Sequence, residues 1–249
     1  MGDMFDVPET MSNATTASPL AHLPQIDPPP STIDELVRGR VRLSGDEKIL
    51  AYPRSGIDYV DYTPRHLDTY AYHAALHYAK GMPQRCSSSE QPRVVGLLGP
   101  SNLDYVVSMF ALTKLGHTVL YLSPRISKEA HKSLLEKTGA RDLVIHESFR
   151  SMADSLQEEL ADLQAHSIAK AQSYDKSLPH GADTRMDRQL DPRKETNYPA
   201  WIIHSSGSTS LPKPVYLYHR AVLSNYRLNN IPLKGFITSE YCCRSNKIH

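Results

Sequence analysis

Residues 93–145 read RVVGLLGPSNLDYVVSMFALTKLGHTVLYLSPRISKEAHKSLLEKTGARDLVI. Arg93 to Leu98 is an apolar run of the kind that makes a strand buried on both faces. Gly99, Pro100, Ser101 and Asn102 punctuate it as a turn. Leu103, Val106, Val107, Phe110 and Ala111 then recur at helical spacing, and Gly116 ends that helix. Thr118 to Leu122 reads as the next strand. Ser127 to about Thr138 reads as a helix stopping at Gly139, and Asp142 to Ile145 as a third strand. Strands and helices alternating at this spacing predict an α/β fold, a parallel sheet covered by helices. Gly96 to Asn102 lacks the three-glycine spacing of a dinucleotide loop and is expected to be a structural turn.

Working toward the N-terminus, Thr63 is placed to cap a helix with Pro64 at its first position. Leu67, Tyr70, Ala71, Ala74, Ala75 and Tyr78 fall on one face of it. His66, His73 and His77 lie on or near this helix; with no third ligand in sight they are expected to be exposed polar residues. Ile49 to Tyr52 and Tyr59 to Tyr62 read as a hairpin joined by Pro53, Arg54, Ser55 and Gly56. Thr32 to Val41 predicts a short helix burying Ile33, Leu36 and Val37. Residues 1–30, rich in Ser, Thr, Pro and Met, read as a disordered leader.

Toward the C-terminus, Ser151 to about Gln172 reads as one amphipathic helix with Leu156, Leu160, Leu163 and Ile168 on its apolar side. Tyr174 to Asn197 is charged, broken by Pro179, Gly181 and Pro192, and expected to be an exposed connector with solvated charges. Tyr198 to His204 reads as a strand, Val215 to Tyr218 as its return, and His219 to about Asn229 as a helix.

Between those last strands lies the chemistry. Ser205, Ser206, Ser208 and Thr209 flank Gly207; Ser210 follows, then Leu211, Pro212 and Lys213. Hydroxyls donate hydrogen bonds, glycine lets the backbone approach a ligand, and lysine adds positive charge, so the loop is suited to phosphates. A Ser-rich surface turn has the same composition; the lysine after proline, between two apolar strands, favours the phosphate reading. It is not a Walker A loop, since no second glycine precedes the lysine and no Ser or Thr follows it.

The run Ser205 to Lys213 resembles the phosphate-binding signature of the adenylate-forming superfamily, which includes acyl-CoA synthetases, luciferases and nonribosomal-peptide-synthetase adenylation domains. Pro214, His219 and Arg220 resemble the nonribosomal-peptide-synthetase-like and adenylate-forming reductase subgroup. The hairpin with its helix resembles the entry segment of adenylation domains, and Leu112 to Pro124 their second core motif. The resemblance covers about residues 33–238. It departs at Ser210, where the family usually has glycine; a positive φ there would cost serine about 1 kcal/mol.

The resemblance implies a Rossmann-like parallel sheet covered by helices, the incomplete N-terminal subdomain of an adenylate-forming enzyme. Residues 31–238 would be a partial AMP-binding subdomain, and 239–249 a tail that departs from the family. It implies ATP-dependent activation of a carboxylic acid to an acyl-adenylate. Ser205, Ser206, Gly207, Ser208, Thr209 and Lys213 would hold the β- and γ-phosphates of ATP. His219 would support the loop or serve only as a helix-start histidine bonded to backbone. Mg²⁺ is implied by the family, with ligands that do not map onto this chain. No catalytic residue is carried over, because the family's catalytic lysine lies in a C-terminal subdomain and is not Lys213. The expectation is therefore a truncated adenylating domain, inactive alone, poorly soluble and with an open sheet edge. The alternative is a non-catalytic interaction or regulatory remnant of such an enzyme. A carrier domain is among the partners the resemblance allows.

Composition excludes other classes. With Lys plus Arg at 28 and Asp plus Glu at 27, no basic stripe points to nucleic acid. No apolar run reaches the roughly 18 residues that span a bilayer. Cys86, Cys242 and Cys243 fit neither a disulfide framework nor a zinc site, and a cytoplasmic setting is expected. Neither a Walker-type lysine nor an acidic kinase loop is present.

Overall fold

The computed structural model describes residues 25–55, 58–205 and 211–229. Most of the expected leader, the expected loop residues 206–210 and the expected tail 239–249 lie outside the described residues. Helix α1 (Ile33–Ser44) is followed by an antiparallel hairpin, β1 (Leu50–Ser55) and β2 (Asp58–Tyr62), and by α2 (Pro64–Tyr78). Then come β3 (Val94–Leu98), α3 (Leu103–Lys114), β4 (Thr118–Leu122), α4 (Lys128–Thr138) and β5 (Asp142–Ile145). After these follow α5 (Arg150–Glu159), β6 (Gln164–Ser167), the short α6 (Ala171–Tyr174) and α7 (Pro192–Glu195), β7 (Pro199–His204), β8 (Pro214–Tyr218) and α8 (His219–Asn229).

The main sheet has six strands in the order β6-β5-β3-β4-β7-β8. Every neighbouring pair is parallel except β7 with β8, which is antiparallel. Helices cover both faces, as a parallel sheet requires. On one face α1, α2 and α3 bury Ile33, Leu67, Ala74, Val107 and Leu112 with Val95, Leu97 and Val119 of the sheet. On the other, Leu134, Leu135, Ala153 and Leu156 of α4 and α5 pack on Leu98, Leu120, Leu143 and Ile202. A Cβ on Gly96 of β3 would lie 2.9 Å from the Leu143 Cδ1 and 3.3 Å from the Leu135 Cδ2, so the glycine lets α4 sit close on the sheet.

Helix boundaries follow from side-chain caps. The N–H of Glu35 donates to Thr32 Oγ1 at 3.2 Å, that of Tyr105 to Asn102 Oδ1 at 2.9 Å, and that of Ala130 to Ser127 Oγ at 3.3 Å. Thr63 and His66 form a reciprocal capping box at the start of α2, with Pro64 in its first turn. Gly139 ends α4 in the left-handed region, φ 64°. His66 and His77 are exposed, whereas His73 is half-buried.

Three sequence expectations change. The hairpin ladder runs further than expected, with Pro53 opposite Tyr59 and Ser55 opposite Asp58. The single helix expected over residues 151–172 is instead α5, a break and strand β6. Leu160 leaves the helix at φ −123°, ψ 85°, and Gln164 to Ser167 pair in parallel with Asp142 to Ile145. The outer edge of β5 offers a ladder that satisfies backbone groups, and that long-range partner outweighs local apolar spacing. Leu163 and Ile168 are buried as expected, but from the positions that flank a strand rather than from a helix.

The third correction concerns the connector, residues 174–197, whose charges are not all solvated. Glu195, 2% exposed, accepts from Arg85 through two bonds of 2.7 and 2.8 Å and from the Ser88 hydroxyl at 2.6 Å. Arg188 reaches Asp34 at 3.3 Å, and Thr184 Oγ1 donates to Asp68 at 2.5 Å. Arg85 is far from Glu195 in the chain, so no sequence window contains both partners. Ile26, within the expected leader, is buried against Gly39 of α1. At the other edge of the sheet, β8 leaves Val215, Tyr216 and Tyr218 exposed. Among the described residues no helix is long and apolar enough to cross a membrane.

Candidate functional site

Strand β7 lies beside β4, with Val119 opposite Trp201 and Leu120 opposite Ile202. Being parallel to β3, β4 and β5, it delivers His204 and Ser205 to the carboxyl edge of the sheet, where open α/β sheets bind ligands. The turns after β3 and β4 emerge at the same edge. Strand β8 returns antiparallel, with Pro214 opposite His204 and Val215 opposite Ile203.

The ends of the loop are tied together. The N–H of Ser205 donates to the Lys213 carbonyl at 3.1 Å, and the N–H of Lys213 donates to the Ser205 hydroxyl at 3.0 Å. Pro212 is buried between exposed Leu211 and Lys213. The Lys213 ammonium makes no ion pair among the described residues, whereas Lys114, Lys128, Lys132 and Lys170 are all paired with carboxylates. An exposed, unpaired lysine on a pinned loop is available to an anionic ligand. Of the residues expected to bind phosphate, Ser205 and Lys213 are brought together; Ser206, Gly207, Ser208 and Thr209 lie outside the described residues.

Three residues at this base carried no assignment from sequence reasoning. The Ser123 N–H, at the end of β4, donates to His204 Nε2 at 3.2 Å. His204 Nδ1 lies 3.0 Å from the Ser205 carbonyl, and His131 Nε2 on α4 lies 3.0 Å from the Ser123 carbonyl. Burial holds the His131 imidazole below its ordinary pKa, favouring its neutral form. His204 precedes the hydroxyl run, but Ser123, its partner, is 81 residues away.

His219 does not support the loop. It follows β8 and so sits at the opposite edge of the sheet, where its Nδ1 accepts the Ile33 N–H at 3.3 Å and ties α8 to α1. Arg220 is structural too: its N–H donates to the Thr196 carbonyl at 3.0 Å and its guanidinium to Asn197. Burial lowers the pKa of His219 to about 4, and burial does the same at His117, whose Nε2 lies 3.1 Å from the Pro83 carbonyl. Both side chains ionise more readily unfolded, near 6.5, than folded. The unfolded chain thus binds more protons, so stability is expected to fall as pH drops from about 6.5 to about 4 and this contribution to level off below. Urea melts at pH 7.5 and 4.5 check this; the double variant His117→Gln, His219→Asn should lose less stability over the interval than the parent.

Residues 69–244 match the family model described as AMP-binding enzyme. A non-ribosomal peptide synthetase of Acremonium egyptiacum is 31% identical over 150 residues, covering 58% of this chain and 13% of the relative. An adenylate-forming reductase of Stachybotrys bisbyi is 33% identical over 131 residues, covering 52% of this chain and 12% of the relative. The chain therefore spans a small part of the length of the curated relatives it matches. Among solved structures, the fatty acyl-adenylate ligase of L. pneumophila in complex with acyl adenylate and pyrophosphate superposes with TM-score 0.58. That match is 16% identical and covers 79% of this chain and 32% of the ligase. The luciferase-like enzyme of the mealworm Zophobas morio superposes with TM-score 0.59 at 20% identity, covering 79% of this chain and 44% of that enzyme. These structures share the fold of the described residues, and the family match takes in most of the chain, from α2 through the loop. The chain belongs to the AMP-binding enzyme family.

Proposed function

We propose that this chain supplies the triphosphate-holding part of an ATP-dependent carboxylic-acid-adenylating unit and does not complete acyl-adenylate formation alone. The observation that carries the reading is the loop whose ends, Ser205 and Lys213, are bonded to each other at the carboxyl edge of the sheet, with the exposed lysine ammonium in no ion pair among the described residues. In the reaction a substrate carboxylate oxygen attacks the α-phosphorus of ATP. A carboxylate oxygen–phosphorus bond forms, the α–β bridging bond breaks, and its electron pair leaves with pyrophosphate. Ser205, Ser206, Gly207, Ser208, Thr209 and Lys213 hold the β- and γ-phosphates, so Lys213 offsets charge on the leaving pyrophosphate. The groups at the base of the loop are hydroxyl, imidazole and ammonium. Among the described residues no carboxylate joins them, so these groups do not fit Mg²⁺, and no step is assigned through that ion.

The carboxylic acid and an acyl-accepting carrier domain are the partners this reading assigns, supported by similarity to a peptide synthetase and a reductase. A cytoplasmic setting accords with the sparse cysteines, of which Cys86 is free and exposed.

The test is competition for bound ATP on the full chain. Pyrophosphate is expected to displace ATP because both engage the loop, whereas AMP, which lacks the β- and γ-phosphates, is expected to displace it poorly. Pyrophosphate exchange by the chain alone, over a panel of carboxylic acids, is expected to be absent. Displacement by AMP as effective as by pyrophosphate, or measurable exchange, would overturn the reading.

A further inference from the structure

We infer that His204 is a positioning residue, held as the neutral Nδ1–H tautomer, that braces the base of the phosphate loop against the turn after β4. The tautomer is set by the backbone partners. The group facing Nε2 is the Ser123 N–H, a donor, so Nε2 must carry the lone pair. The group facing Nδ1 is the Ser205 carbonyl, an acceptor, so Nδ1 must carry the proton. The two assignments agree, and only one neutral form satisfies both. The same peptide segment is held from its other side: the Ser123 carbonyl faces His131 Nε2, which must donate. His131 is 1% exposed on α4, so its ring cannot turn away to solvent.

The result is one chain of bonds from α4 through His131, Ser123, His204 and Ser205 to Lys213. It crosses from one βα turn to the next at the carboxyl edge of the sheet. Its purpose follows from the position of Ser205, which accepts from the Lys213 N–H through its hydroxyl and from His204 through its carbonyl. Fixing Ser205 fixes both ends of the loop.

A second proton on His204 would turn Nε2 into a donor facing a donor. The Ser123 bond would be lost and replaced by repulsion, leaving a backbone N–H without its partner. No carboxylate bonds to His204 among the described residues, so nothing there compensates an imidazolium.

The nucleotide consequence rests on the function proposed above; the tautomer and the brace do not, and the test separates them. In the ligand-free chain, two-bond proton–nitrogen NMR correlation of the His204 ring at pH 8 is expected to show a protonated Nδ1 and a bare Nε2. Hydrogen exchange at the Ser123 amide is expected to be slow at pH 8. A protonated Nε2 at pH 8, or a Ser123 amide that exchanges at its intrinsic rate, would overturn the inference. His204→Gln keeps an acceptor that does not titrate, and His204→Phe keeps none. At pH 8 His204→Phe is expected to bind ATP about tenfold more weakly than His204→Gln does. Equal affinities in the two variants would overturn the coupling of this brace to the nucleotide. His204→Phe is expected to expose the Ser123 amide at pH 8. Correct tautomer and protection with no ATP binding at any pH would support the brace and overturn the nucleotide reading instead.

Discussion

Replacing Lys114 by methionine is expected to destabilise the fold by about 3–5 kcal/mol, the largest single effect outside the apolar core. Lys114 Nζ, on a side chain 2% exposed, donates to Asp34 at 2.8 Å, to Asp68 at 2.7 Å and to the Thr184 carbonyl at 3.3 Å. It thereby joins α3 to α1, α2 and the connector. Asp34 experiences two opposed influences. Burial pushes its carboxyl up, but Lys114 first, then Arg38 and Arg188, hold it below the usual range. Its contribution to stability is therefore present at neutral pH and lost as pH falls below about 3.8 toward its folded value. Methionine fills much of the volume but leaves two buried carboxylates without their shared cation. The double variant Lys114→Met, Asp68→Asn is expected to recover part of the loss, because Asp34 keeps Arg38 and Arg188 as partners while Asp68 is the carboxylate left without a cation. Urea melts at pH 7 measure both. A loss below about 1 kcal/mol for Lys114→Met would show that the cluster is solvated after all.

Lys213→Ala is expected to weaken ATP binding by about 10- to 100-fold, the range of one charge-assisted hydrogen bond to an anion. The side chain is exposed, and the structural bonds of this residue to Ser205 use its backbone N–H and carbonyl, which alanine keeps. The melting temperature should therefore stay within about a degree, which separates loss of a ligand contact from loss of structure. Lys213→Arg retains charge with a different shape and should fall between the two. Calorimetric titration of ATP into the three proteins checks the series. Equal affinities would remove Lys213 from the site, and a large fall in melting temperature would make its role structural.

How much of this was readable in advance depended on how far apart the deciding partners lie. Helix α4 was legible nearly to the residue, because its start rests on Ser127 bonding three residues ahead and its end on Gly139 adopting a positive φ. The strands β3, β4 and β5 were equally plain, since a strand covered on both faces must be apolar throughout. Strand β6 was not: Gln164, Ala165, His166 and Ser167 have neither alternation nor a run, and only the free edge of β5 makes them a strand. Within the candidate site, Ser205 and Lys213 were legible from type and spacing. Their brace through His204, Ser123 and His131 was not, and of the two roles open to His219 the helix-start histidine bonded to backbone is the one found, because β8 carries that residue to the far edge of the sheet.

By itself, the order of residues settled whatever local chemistry settles: caps, glycine stops, the alternation of strands and helices, and a hydroxyl-rich loop ending in lysine. Tertiary structure alone decided which charges are buried together, which strand occupies the edge and which histidine faces the loop. Those outcomes depend on electrostatics and hydrogen bonds between groups brought within about 3 Å only after the chain has folded, and no local pattern encodes a partner that distant in sequence.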